Sequence, residues 1–232
     1  MKKAIVIGAT SGIGKELAKV LADNNYLVGV TGRRTELLEN LKREKPDSFY
    51  WRSFDITDIK ATVENLESLI EDLDGLDLLV ISSGMGEINK DLVFDIEKMT
   101  IDLNVVGFTT VCNWAFNYFE KQKRGHLTAI TSIAGLRGSS LAPAYSATKS
   151  FQIKYLESLR LKAKGTMLPI YVTDIRPGFV DTAMAKGEGL FWVASPHKAA
   201  LQIYKAISRK RSVAYVTKRW KIVALIFKLL SR

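Results

Sequence analysis

Cysteine is almost missing: Cys112 is the only one among 232 residues, so no disulfide can form within the chain, and a reducing compartment, the cytoplasm, is expected. Histidine is nearly as scarce. His126 and His197 are far apart and form no cluster with metal-ligand spacing, so no metal is expected. No Pro/Ser-rich or acidic stretch offers a linker, and repeats and low-complexity segments are missing. With 47% apolar residues the chain can bury one sizeable core, which predicts a single domain over 1–232. Lys2-Lys3 ahead of an apolar run, Ala4 to Ile7, resembles the start of a signal peptide, but Gly8 and Gly12 cut the run short, and a first strand is expected instead.

Acidic residues are missing from one end. Residues 1–188 hold 24 basic and 24 acidic side chains, whereas 189–232 hold ten Lys/Arg and no Asp/Glu, so the tail carries the whole net charge of +10. Ser195-Pro196 predicts a helix start, by cap and N1 proline, and Arg209-Lys210-Arg211 its end. Beyond it, 219–232 reads as a basic and apolar helix, shorter than the about 20 apolar residues that span a bilayer. Three settings remain open for it. It can lie on a membrane surface, with Trp220 and Phe227 inserting and each base worth about 1 kcal/mol on anionic headgroups. It can pack on the core, or on another subunit. Nucleic acid is not expected as a partner, because the bases alternate with aliphatic residues and no recognition motif appears.

Short apolar runs near 3–7, 26–31, 48–54, 77–82, 125–132, 168–175 and 212–217 alternate with helical patterns. Such alternation predicts an α/β fold, a doubly wound parallel sheet of about seven strands with helices on both faces. After the first run comes Gly8-Ala9-Thr10-Ser11-Gly12-Ile13-Gly14, and then a helical pattern from Lys15. Strand, glycine-rich turn and helix form a cradle in which backbone N–H groups at the helix start meet a pyrophosphate. Further on, Tyr145 and Lys149 are four residues apart, one helical turn, on the same face. A free tyrosine has a pKa of about 10, and bringing it near 7 needs roughly 4 kcal/mol. A cation about 4 Å away, at an effective dielectric of about 20, supplies roughly that amount. The pair is therefore a candidate acid–base group.

Together these residues resemble the classical short-chain dehydrogenase/reductase family. The turn Gly8–Gly14, Leu103-Asn104-Val105-Val106-Gly107, Ile130-Thr131-Ser132, the Tyr145/Lys149 pair and Arg176-Pro177-Gly178 come in that family's order, with Ser132 13 residues before the tyrosine. The resemblance implies a Rossmann-type fold with strand order 3-2-1-4-5-6-7 and a catalytic tetrad of Asn104, Ser132, Tyr145 and Lys149. Tyr145 would donate the proton, Ser132 would hydrogen-bond the same oxygen, Lys149 would hold the nicotinamide ribose, and Asn104 would bind a water linking Lys149 to solvent. The expected cofactor contacts are Gly8, Thr10, Ser11, Gly12, Ile13, Gly14, Ser83 and Gly84, with Pro177, Gly178, Val180 and Thr182 lining the nicotinamide side. Asp55, with Ile56, resembles the adenine contact, although Asp55 could equally cap the next helix. The chain departs from the family at Ile7, where a threonine is usual, and at Ile81-Ser82-Ser83-Gly84, where Asn-Asn-Ala-Gly is usual. Ile7 and Ile81 are expected to pack together.

At the end of the second strand Arg33-Arg34 stand where an NAD site needs a carboxylate, and two guanidinium groups suit a 2′-phosphate. NADP(H) is expected over NAD(H). The expected activity is hydride transfer between the nicotinamide and a carbonyl or secondary alcohol, by a carbonyl reductase or alcohol dehydrogenase. A substrate lid is expected over 183–194, with Gly187 and Gly189 as hinges; its apolar residues suit an apolar substrate or packing on its own domain. Arg137 can meet a substrate anion or simply face solvent. The alternative is a non-catalytic NADP(H)-sensing module on the same fold, which a broken tetrad would mark; all four residues are present. A sugar-nucleotide epimerase needs a larger C-terminal domain than about 50 residues after Gly178 allow. By resemblance a homo-oligomer, dimer or tetramer, is expected.

Overall fold

The computed structural model describes residues 1–185 and 189–230. Seven strands form one sheet: β1 (Lys2–Ile7), β2 (Tyr26–Gly32), β3 (Phe49–Ser53), β4 (Leu78–Ile81), β5 (Gly125–Ile130), β6 (Ile170–Pro177) and β7 (Val213–Val216). Their order is β3-β2-β1-β4-β5-β6-β7, as expected, and every pairing is parallel. The strands lie within two residues of the expected bounds, and the expected fifth strand stops at Ile130, leaving Thr131 and Ser132 beyond its end.

Strands buried on both faces read as continuous apolar runs, and β1 and β4 are such strands. Helices cover the two faces. On one side α1 (Gly12–Asp23), α2 (Thr35–Glu44) and α7 (Pro196–Ser208) enclose a core that includes Val6, Leu17, Leu38 and Ile203. On the other, α3 (Ile59–Leu73), α5 (Phe108–Lys121) and α6 (Pro143–Thr166) enclose Ile5, Leu66, Phe116 and Leu156. Ile7 and Ile81 are register partners within the second core, so the two departures from the family pattern compensate one another. Parallel strands all end on the same edge, and the loops leaving β1 to β6 at that edge carry the candidate site. The caps fall as expected for α7, where Ser195 Oγ accepts from Lys198 N and Pro196 opens the helix. Asp55 does not cap α3; Asp58 does, accepting from Ala61 N.

The remaining helices are α4 (Phe94–Ile101), which continues through a π-helical turn, Asp102–Gly107, into α5, a short 3-10 helix, Ile133–Leu136, and the C-terminal α8 (Trp220–Leu230). Among the described residues no helix is long and apolar enough to cross a membrane.

Candidate active site

The loop after β1 is built around an open helix end. Gly8 takes φ +85, a left-handed conformation that side chains disfavour, and a Cβ on Gly14 would come 2.1 Å from the Gly8 carbonyl oxygen. Ser11 sits at the N-cap of α1 yet makes no side-chain cap bond, because its hydroxyl accepts from Arg34 Nη2 at 2.7 Å. The first-turn N–H groups are thus left for an anion. The Gly12 Cα faces Thr182, whose Cγ2 would be 3.1 Å from an added Cβ, so the turn and the loop after β6 form the two sides of one cleft. Ser83 Oγ is buried there without a partner, an orphan that a dinucleotide hydroxyl or phosphate would satisfy. These residues fit a dinucleotide cofactor. Ile13, Ile56 and Val180 turn their side chains into the core, so their contribution to a ligand is limited to the backbone.

The two arginines after β2 part ways. Arg34 Nη2 donates to Thr10 Oγ1 at 2.6 Å as well as to Ser11, holding a planar cation over the glycine-rich turn. Arg33 Nη1 reaches Asp55 Oδ2 at 3.3 Å and is otherwise largely exposed. Asp55 Oδ1 accepts from Thr57 N and Oγ1, and these bonds together with Arg33 hold its pKa below the usual carboxylate range despite the opposing effect of burial, the largest single influence.

The four tetrad residues converge. Ser132 lies just beyond β5, its Oγ accepting from Ala134 N at 3.1 Å. Tyr145 and Lys149 lie on the first turns of α6, whose N-terminus opens on Pro143. Asn104 lies in the π-helical turn, where the extra residue per turn brings its side chain into the interior. It is fully buried. Its Oδ1 accepts from Met85 N at 3.0 Å, and Nδ2 donates to Met85 O at 2.7 Å and Thr148 Oγ1 at 3.0 Å, clamping the loop after β4 to α6. Gly84 faces both Lys149 Nζ and Asn104 Oδ1, at 3.3 and 3.4 Å from an added Cβ, and the next glycine, Gly86, lies flat on the Tyr145 ring.

One expectation about this cluster needs correction. Lys149 does not depress the pKa of Tyr145 to near neutrality: burial of the phenol pushes it up from 10.0, and only a hydrogen bond with Ser132 opposes this. The ammonium is itself buried and engaged elsewhere, donating to Ile130 O at 3.1 Å and Gln152 Oε1 at 3.0 Å, 5.8 Å from the Tyr145 ring centroid. Burial lowers the Lys149 pKa to about 8, with Asp174 opposing. Gln152 Nε2 in turn donates to Asn104 O at 2.9 Å, so a side chain ties Lys149 to the Asn104 main chain. Sequence reasoning missed Gln152; its position three residues after Lys149, on the same helix face, was the available signal.

Two more residues escaped the sequence reading. Glu97 on α4 accepts from Ala144 N at 2.9 Å and from Asn89 Nδ2 at 2.6 Å, capping α6 immediately before Tyr145. Asp174, in the middle of β6, is fully buried, pairs with Arg176 Nε at 2.7 Å and accepts from Thr131 Oγ1 at 2.6 Å. It locks the Arg-Pro-Gly strand to the residue before Ser132.

The loop after β6 is tied at its base: Asp181 N donates to Ala194 O at 2.9 Å and Ala194 N to Phe179 O at 3.1 Å. Gly189 has φ +76, whereas Gly187, the other expected hinge, lies outside the described residues. Phe179, Phe191 and Trp192 gather around Trp220 of α8, with ring centroids 5.0 to 5.8 Å from it. The Trp220 ring fills the space beside Gly178, where a Cβ would be 2.0 Å from it. The start of α8 is therefore part of the wall behind the expected nicotinamide side. Arg137 is exposed.

The short chain dehydrogenase family matches residues 2–190. The chain belongs to that family. Its curated relatives include an uncharacterized oxidoreductase of Myxococcus xanthus, 36% identical over 79% of this chain and 74% of the relative. Another, of Escherichia coli K12, is named an NADP-dependent 3-hydroxy acid dehydrogenase; it is 33% identical over 76% of this chain and 71% of that protein. Among solved structures, a serine dehydrogenase in a closed form complexed with NADP+ superposes with a TM-score of 0.83, at 25% identity, over 92% of this chain and 93% of that one. This short-chain dehydrogenase is thus an oxidoreductase on a Rossmann-type fold that takes a nicotinamide cofactor.

Proposed function

We propose that this short-chain dehydrogenase uses NADP(H) to interconvert a carbonyl and a secondary alcohol on an apolar substrate. The observation that carries the chemistry is the convergence of Tyr145, hydrogen-bonded to Ser132, with the buried Lys149 cation one turn away. The nicotinamide, when bound, supplies or accepts the hydride. Ser132 orients the substrate oxygen, and Tyr145 Oη gives it a proton in the reducing direction. A phenol whose pKa is raised stays protonated at neutral pH and suits that donor role. Lys149 offsets the negative charge left on the phenolate.

Support for the 2′-phosphate comes from Arg34, fixed over the turn by two hydroxyls, and from the NADP dependence in the name of the E. coli relative. Arg34→Ala should weaken NADPH binding at least about tenfold while leaving NADH binding nearly unchanged, since one charge-assisted contact is worth about 1.5–3 kcal/mol. Fluorescence titration with both cofactors checks this, and equal losses for the two would contradict it. The apolar substrate rests on the tied loop, where Met184, Phe191, Trp192 and Val193 stay partly exposed beside the site. A screen of NADPH consumption with ketones, aldehydes, 3-oxoacyl thioesters and 3-oxo acids tests it; turnover confined to small polar carbonyls would contradict it.

A further inference from the structure

Away from the cofactor cleft, α6, α7 and β7 border an open cavity of about 880 Å³. That is the size of an ordinary small-molecule site. No tetrad residue and none of the glycine-rich turn lines it, although Gly135 and Leu136, just past Ser132, contribute to its wall. Its lining is strongly one-signed: eight Lys and Arg side chains face a single carboxylate, Glu157. Glu157 is already paired with Lys154 at 3.0 Å, and Arg176 is neutralised by Asp174. Arg160 donates to Ser212 O at 3.1 Å. The other five, Lys205, Arg209, Arg211, Lys218 and Lys221, form no ion pair among the described residues. Gathering so many like charges around one concavity is unfavourable unless an anion spends time there. Gln202, also in the lining, has a buried Oε1 without a partner, which a ligand hydroxyl or N–H would satisfy.

We propose that this cavity is a second ligand site of the enzyme, for a molecule that carries phosphate. Phosphate suits a ring of guanidinium and ammonium groups through charge-assisted bonds, and Arg209 and Arg211 supply planar forks for it. Two sources share this chemistry, a soluble phosphorylated small molecule and a phospholipid headgroup. The second source has its own support. Lys221, at the cavity, is followed by Ile222, Leu225 and Ile226, which share one face of α8 and are 61%, 61% and 47% exposed. Acyl chains of a lipid held by its phosphate would find that stripe alongside. A second copy of this chain is a poor occupant, because its own uncompensated cations would meet these.

The test uses the full chain with saturating NADP+, so that the cofactor cleft is filled. Calorimetric titration with pyrophosphate is one arm. Co-sedimentation with phosphatidylcholine vesicles, with and without phosphatidylglycerol, is the other. Each is repeated with Arg209→Glu/Arg211→Glu, with the milder Arg209→Ala/Arg211→Ala, and with a charge-matched control, Lys121→Glu/Lys123→Glu, at exposed positions at and just past the end of α5. Pyrophosphate affinity falling at least about tenfold in the cavity variants but not in the control supports a soluble ligand. Phosphatidylglycerol-dependent sedimentation lost in the cavity variants, and weakened by Leu225→Ser, supports a headgroup. The proposal is overturned if wild type binds neither probe, or if the cavity variants behave as the control does. Residual pyrophosphate in the cofactor cleft would be insensitive to Arg209 and Arg211, so a failure of the NADP assignment is read separately.

Discussion

Lys149 is the residue whose charge state governs the site. Because burial lowers its pKa to about 8, it is a cation below that pH and neutral above it. The raised Tyr145 pKa keeps the phenol protonated through the same range, so the alkaline loss of activity belongs to the lysine. Carbonyl reduction should therefore be level through neutral pH and fall above about 8. Gln152→Glu places a carboxylate against Nζ, favours the charged lysine, and should move that limb upward by on the order of one unit. Gln152→Leu leaves the ammonium with the Ile130 carbonyl as its remaining acceptor and takes the side-chain donor from the Asn104 carbonyl, and kcat should drop by about tenfold or more with the fold intact. A pH–rate profile that is the same in wild type and Gln152→Glu would show that Gln152 serves packing alone.

Among the elements, α6 matters most, because both Tyr145 and Lys149 depend on where its first turn lies. Glu97 caps that turn from α4, and Glu97→Ala should lower kcat several-fold while cofactor affinity holds; a cap is worth about 1 kcal/mol. Strand β5 makes a different prediction. His126 is buried against Thr173, and its pKa is lowered from 6.5 to about 4. The folded protein keeps this imidazole neutral while the unfolded chain protonates it below 6.5, so stability is lost as pH falls from 6.5 towards 4. The loss amounts to about 3 kcal/mol for this one group. Urea unfolding of His126→Gln should show a correspondingly weaker acid dependence. Much at this scale was legible in the chain, because doubly buried strands announce themselves as apolar runs and Gly8–Gly14 marks the turn between β1 and α1. Gln152, Glu97 and Asp174 were not legible. Each makes a contact 43 to 48 residues away in sequence, and beyond the spacing of Gln152 from Lys149 nothing local marks a polar residue that the fold will bury. The spacing of Tyr145 and Lys149 gave a shared helix face but not the burial that overrides their attraction.

At the scale of the whole molecule, the chain is an electrically balanced nucleotide-binding body with a basic tail folded against it. Trp220 joins the two: it is 1% exposed, lies on Gly178 and carries the aromatic cluster of the loop after β6. Trp220→Ala should cost about 3–5 kcal/mol of stability and lower kcat, because the nicotinamide-side wall loses its backing; thermal melts and steady-state kinetics check both. The tail's charge is concentrated around the cavity beside β7 and was visible in the sequence, but its convergence with Arg160 and Arg176 required the fold.

The most direct measurement of the central assignment follows the hydride itself. NADPH deuterated at nicotinamide C4 is incubated with the carbonyl panel, and the product alcohols are analysed by mass spectrometry, for wild type and Tyr145→Phe. Deuterium on the carbinol carbon with wild type, and a loss of turnover by about a hundredfold or more in Tyr145→Phe with NADPH binding retained, is the predicted result. Equal deuterium transfer by both proteins would contradict it.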